Sequence, residues 1–192
     1  MAPDWTPLTI TEQWQLLRRA RDSIAAALRA AAPPQMTTPT SSLAAPNGVF
    51  VSLHIHTELR GCVGILTTDQ PLHESVARLA IAAAFDDPRF APLSDAELDD
   101  LDIEISRLTD PLQTHPGSIV VGRDGVCIRH GDRRAVLLPQ VAPMYGWDRE
   151  RLLTELCRKA ALHPDAWRQP PTELFRFEAE VFSERSLGGY TV

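Results

Sequence analysis

Apolar residues first recur at helical spacing in LTITEQWQLLRRARDSIAAALRA, where Leu16, Leu17, Ile24, Ala27 and Leu28 form one stripe. Thr9 stands three residues before Glu12, the spacing of a capping box, so the pattern predicts an amphipathic helix that begins there. Prolines and small polar residues then interrupt it, and residues 32–47 read as a loop or linker. GVFVSLHIHT alternates and is β-branched, which predicts a strand, with LRGCVGILT as its hairpin partner. PLHESVARLAIAAAFDD predicts a helix with its proline in the first turn. SDAEL reads as a capped turn. LDIEISRL reads as a strand with Leu101, Ile103 and Ile105 on one face. SIVVGRDGVCIRHGDRRAVLLP suggests two consecutive hairpins that turn at GRDG and HGDR. A short helix in QVAPM and a longer one capped by Asp148 follow. ELFRFEAEVFSE reads as one late strand with Phe175, Phe177, Ala179 and Val181 together.

Neighbouring strands joined by tight turns favour antiparallel pairing, so the expected class is α+β. The 192 residues suffice for one domain, 1–192, or for two small lobes that share a core. A hydrophobic content of 44% supports a buried core. The formal charge of −6 opposes non-specific nucleic-acid binding, although RRAR (Arg18 to Arg21) and RHGDRR (Arg129 to Arg134) are basic clusters. Three widely spaced cysteines do not resemble a secreted disulfide framework. The N-terminal stretch is polar, and no apolar run reaches membrane-spanning length. A soluble cytoplasmic protein is the expectation, with no membrane partner and no cofactor.

The densest chemistry lies in HIHTELRGCVG, His54 to Gly64. In a regular strand Arg60, Cys62 and Gly64 project from one face, and Leu59, Gly61, Val63 and Ile65 from the other. A guanidinium one pleat from a thiol favours the thiolate. Gly61 and Gly64 would let a backbone or a ligand come close. A three-residue loop over Thr57 to Leu59 places His54 opposite Cys62. A two-residue turn at His56 and Thr57 places Val51 there instead and moves His54 to the other face. Cys62 with Arg60 is therefore a candidate nucleophile whose base, His54, depends on the register. His73 could approach from the following helix. His54, His56 and Cys62 are zinc-type ligands, but no second ligand pair accompanies them, so no metal is expected.

Elsewhere, Cys157 lies at helical spacing with Leu153, Leu156 and Ala160 and reads as core, and Cys127 alternates within a strand. Gln140 in LLPQVA could present its amide to a ligand or satisfy loose backbone groups. Glu178 shares a parity with Arg176 and Glu180 and reads as a solvated face, with a pairing to Arg60 as the alternative. Trp147 and Trp167 read as anchors for the late helices.

LRGCVG, DPRFAPLSDAELDDLDIEISRLTDP and VLLPQVAPMYGWDRERLLTELCRKAAL resemble the AMMECR-one domain family, called AmmeMemoRadiSam system protein A in bacteria and archaea. The likeness runs from Gly48 to Glu184. Met144 departs from it, since the family commonly carries a glutamate there. The resemblance implies two unequal lobes with mainly antiparallel sheets, flanking helices and a cleft between lobes. Alignment with the family favours the register with Val51 opposite Cys62. The family name implies Memo-like and radical-SAM proteins as partners, but no reaction. Three functions stay open: a binding or accessory module acting through the LRGCVG face at Arg60, Gly61, Cys62, Gly64, Gln140 and His54; a cysteine-dependent enzyme; and a nucleic-acid-associated protein.

Overall fold

The structure is a computed structural model that describes residues 6–188. It contains five α-helices and eight strands among the described residues, arranged in two antiparallel four-stranded sheets with the expected α+β character. The chain divides into two compact units, 1–108 with 180–192, and 109–179.

The first unit opens with α1, Ile10–Leu28. The Thr9 side chain accepts from the Glu12 N–H, and the Glu12 carboxylate accepts from the Thr9 N–H and hydroxyl. Segment 32–47 is less of a free linker than its composition suggested. It contains the one-turn helix α2, Ser41–Ala44, which buries Leu43 completely. The Thr40 hydroxyl donates to Glu12, and Ala45 C=O accepts from Leu72 N–H. Leu43, the partly buried Met36 packed against the same core, and these hydrogen bonds hold what proline composition alone reads as loose.

The sheet follows the order β2-β1-β3-β8, with β1 Val49–Ile55, β2 Glu58–Ile65, β3 Leu101–Leu108 and β8 Ala179–Ser183. Val49, Val51, Leu53, Ile103 and Ile105 point to one face and are fully buried. Helix α3, Leu72–Phe85, covers β1 and β2 on that face, and α1 packs against α3 and β3. Pro71 stands at the N-cap of α3, one place before the first turn. Gly61 permits this packing, because a Cβ there would lie 2.1 Å from Ala83 C=O in α3. The SDAEL turn is a single 3-10 turn, Asp95–Glu97, capped by Ser94.

The second unit has the order β4-β7-β5-β6, with β4 Leu112–Thr114, β5 Gly125–His130, β6 Arg133–Leu137 and β7 Glu173–Phe177. Two sequence expectations change here. SIVVGRDGVCIRHGDRRAVLLP forms one hairpin, β5–β6, rather than two. The buried Asp124 carboxylate accepts from Val120 N–H and Gly122 takes φ +87°, so the first β-like run closes into a turn. ELFRFEAEVFSE is two strands in different sheets. The chain breaks at Glu178, whose N–H donates to Thr109 Oγ1 and whose C=O accepts from Thr109 N–H. Leu174, rather than Phe175, joins the core with Val126, Ile128, Leu153 and Leu156. Helix α4, Val141–Met144, follows β6, and α5, Arg149–Lys159, buries Cys157 against this core and carries the expected Asp148 cap.

Candidate functional site

The β1–β2 hairpin turns tightly at His56 and Thr57, both at positive φ, and Thr57 N–H bonds Ile55 C=O. Beyond the turn, Ile55 faces Glu58 and His54 faces Leu59, but Leu53 faces Gly61. Arg60 is the extra residue of a β-bulge. The bulge shifts the ladder by one, so Cys62 stands opposite Ser52. Neither register read from the sequence is therefore correct: the turn has two residues, but Val51 pairs with Val63. The bulge also returns His54 to the face of Cys62, as a diagonal neighbour. Such neighbours lie about 7–8 Å apart, and the hydroxyl that meets the Cys62 sulfur is that of Ser52.

Cys62 is half-buried, and Ser52 Oγ donates to its sulfur at 3.3 Å. Strand β2 is a sheet edge, so the peptide groups of Cys62 point away from β1 and need other partners. The DPRF loop after α3 supplies them. The Cys62 N–H donates to Asp87 Oδ2 at 2.9 Å, and Cys62 C=O accepts from Arg89 Nη2 at 3.2 Å. Arg89 closes the clip onto Asp87 with Nε to Oδ1 at 2.9 Å and Nη2 to Oδ2 at 2.6 Å. Asp87 is 5% exposed. The Arg89 hydrogen bond, with the N–H groups of Cys62 and Arg89, holds its carboxyl well below the usual carboxylate range against the cost of burial. Asp87 in turn raises the pKa of Arg89, with smaller contributions from Cys62.

The bulge directs Arg60 to a different partner. Its Nε donates to Glu97 Oε1 at 2.7 Å, and Glu97 also accepts from the Ser94 N–H and hydroxyl. Arg60 and Ser94 lower the Glu97 pKa to about 2. The Phe90 ring lies 6.0 Å from the Arg60 guanidinium and 5.4 Å from that of Arg89. The expectation that Arg60 serves the thiol assumed a regular strand. With the bulge, Arg60 is bound to Glu97, and Arg89 is the cation beside Cys62.

The structure thus brings Cys62 together with Ser52, Asp87 and Arg89, and Arg60 with Glu97 and Phe90. The two glycines admit protein rather than an open approach. Gly61 accommodates α3, and the Phe50 ring covers Gly64, where a Cβ would lie 2.1 Å from Cγ of the ring. Gln140 belongs to the second unit and precedes α4. Glu178 lies 3.8 Å from Arg123 in that unit. His73 lies in α3, buried toward α1. No group of three His, Cys, Asp or Glu side chains among the described residues is arranged to hold a metal ion. No helix among them is long and apolar enough to cross a membrane. Sequence reasoning missed Ser52, Asp87, Arg89 and Phe90. The available signal was DPRF itself: an acid and a base two residues apart, just after a helix, form a local turn.

A crystal structure of protein PH0010 from Pyrococcus horikoshii is similar to this chain, with a TM-score of 0.87, 38% identity, and coverage of 93% of this chain and 95% of that one. A protein of Thermococcus onnurineus is 41% identical over 191 residues, covering 91% of this chain and 92% of its own. Protein MJ0810 of Methanocaldococcus jannaschii is 44% identical over 146 residues, covering 71% and 73%. The AMMECR1 family model matches residues 17–182, which include the hairpin, the DPRF clip and all of both sheets but Ser183, and with these relatives it shows that the chain belongs to the AMMECR1 family.

Proposed function

We propose that this chain is a non-catalytic binding module that presents the LRGCVG face to a protein partner. The observation that carries the reading is the clamp on Cys62: its N–H is held by Asp87 and its C=O by Arg89. A surface fixed in this way loses little conformational entropy on docking. Its charges balance internally, with Arg89 on Asp87 and Arg60 on Glu97. That balance suits a protein surface better than a small acidic ligand. Leu59, 40% exposed, supplies an apolar contact beside it. Memo-like and radical-SAM proteins are the partners implied by the family resemblance, and the cytoplasm is the compartment we propose. The basic cluster is a weak case for nucleic acid, since Arg129 pairs with Glu173 and Arg133 donates to Ala161 C=O.

The test is binding of the purified chain to those two proteins by titration calorimetry. Leu59→Asp is expected to weaken binding at least tenfold, and Cys62→Ser to change it less than threefold. Binding by neither protein would overturn the partner assignment. A second reading, a cysteine-dependent enzyme, is favoured by one observation: Ser52 Oγ and Arg89 both stand beside the thiol. Arg60, named with Cys62 in that reading, is engaged by Glu97. Loss of cellular function in Cys62→Ser with partner binding intact would favour it.

A further inference from the structure

We propose that the edge of β2 at Gly64 takes an extended segment of a partner protein as an added strand. The proposal rests on the LRGCVG face being a partner surface and names how the partner is held. Hydrogen bonding alternates along an antiparallel strand. The Leu108 N–H donates to Gly48 C=O, so the peptide groups of Gly48, Phe50 and Ser52 turn toward β3, and those of Val49, Val51 and Leu53 turn toward β2. Their partners in β2 are Ile65, Val63 and Gly61. The peptide groups of Cys62 and Gly64 therefore point out of the sheet. Those of Cys62 are taken by Asp87 and Arg89. Gly64 N–H and C=O have no partner among the described residues.

A free donor and acceptor on an edge strand form a template for one more strand. Gly64 is half-buried rather than sealed, so this pair is within reach. It lacks a Cβ, which lets another backbone come close. The half-buried Phe50 ring lies over one face of it, where a Cβ would stand 2.1 Å from the ring. A partner residue paired with Gly64 meets that ring, and an aromatic or β-branched side chain gains contact there. At the Cys62 end, the Arg89 side chain is 55% exposed, and its Nη1 bonds nothing among the described residues. An acidic side chain complements it. The occupant is thus an extended segment with an apolar residue opposite Gly64 and an acidic residue toward Cys62. The clip sets its limit, because Asp87 and Arg89 already fill the edge at Cys62. The competing edge is β8, where Ser186 Oγ takes the Ser183 N–H and Val181 keeps its side chain.

The probe is a phage-displayed library of random nonapeptides, selected on the full chain. Its best binder is expected to slow exchange of the Gly64 amide at least about tenfold, read by NMR. Each peptide amide is then N-methylated in turn. Binding is expected to weaken in alternation, by at least about tenfold where the N–H faces Gly64 C=O and by less than about threefold at the next residue. The absence of any selected peptide that protects Gly64 would overturn the proposal. So would protection of Val181 on the β8 edge instead, or an N-methyl scan without alternation. The same exchange measurement with the Memo-like and radical-SAM proteins separates strand addition from the wider reading. Partner binding that leaves Gly64 exchange unchanged overturns strand addition and keeps the partner surface. Peptide protection of Gly64 without binding of either protein supports strand addition and overturns the partner assignment.

Discussion

Replacing Asp87 by alanine tests the clip at Cys62. The carboxylate accepts four hydrogen bonds: from Cys62 N–H at 2.9 Å, and from Arg89 N–H, Nε and Nη2 at 3.2, 2.9 and 2.6 Å. Removing one partner of a buried ion pair costs about 3–5 kcal/mol. That range overstates the case, because the Arg89 side chain is 55% exposed and can turn to water. The Cys62 N–H has no such release, and leaving it unpaired costs about 1–3 kcal/mol. We expect Asp87→Ala to lower stability by about 2–3 kcal/mol in urea denaturation with an unchanged m-value. Asp87→Asn keeps an acceptor oxygen and loses the charge, so about half that loss is expected. Amide exchange at Cys62, read by NMR, should speed up strongly in the alanine variant, while Val63, which faces Val51 across the hairpin, changes little. A loss below about 0.5 kcal/mol, or unaltered exchange at Cys62, would refute the clip as the source of rigidity.

Gly61→Ala is expected to cost at least about 3 kcal/mol in thermal or urea unfolding, because the new methyl meets the Ala83 C=O of α3 at 2.1 Å and backbone yields poorly. Thr57→Gly should stabilise the hairpin by about 1 kcal/mol, since threonine is held at φ +151°. Its urea midpoint should rise without a change in slope. Acid unfolding should report Glu12, whose pKa falls from 4.5 to about 2, first through the Thr40 hydroxyl and then through Thr9. A depressed carboxylate stabilises the fold fully above pH 4.5, and the contribution disappears as pH falls through about 2. Thr40→Ala should therefore flatten the stability-versus-pH curve over that window and leave a smaller difference below it.

The legible parts of the fold were those in which one short stretch settles its own geometry. The Thr9–Glu12 capping box, the Asp148 cap and the alternation of Leu101, Ile103 and Ile105 all behave as their spacing requires. The late strand misled because alternation continues unbroken through Glu178. Its division between two sheets depends on Thr109, sixty-nine residues away in sequence. The candidate site was legible in its residue types and not in its pairing. A bulge has no strong local signal, and the one at Arg60 decides which residue faces Cys62 and which cation stands beside it. Asp87 and Arg89 were visible as DPRF, but their attachment to the edge of β2 is a tertiary fact.

The most direct measurement of the binding-module account is the affinity of the chain for a Memo-like protein, compared across wild type, Cys62→Ser and Asp87→Ala. The account predicts that Cys62→Ser binds within about threefold of wild type, a free-energy change below 1 kcal/mol, while Asp87→Ala, folded but unclamped, binds at least tenfold more weakly. Equal binding by Asp87→Ala, or loss of binding with Cys62→Ser alone, would contradict it.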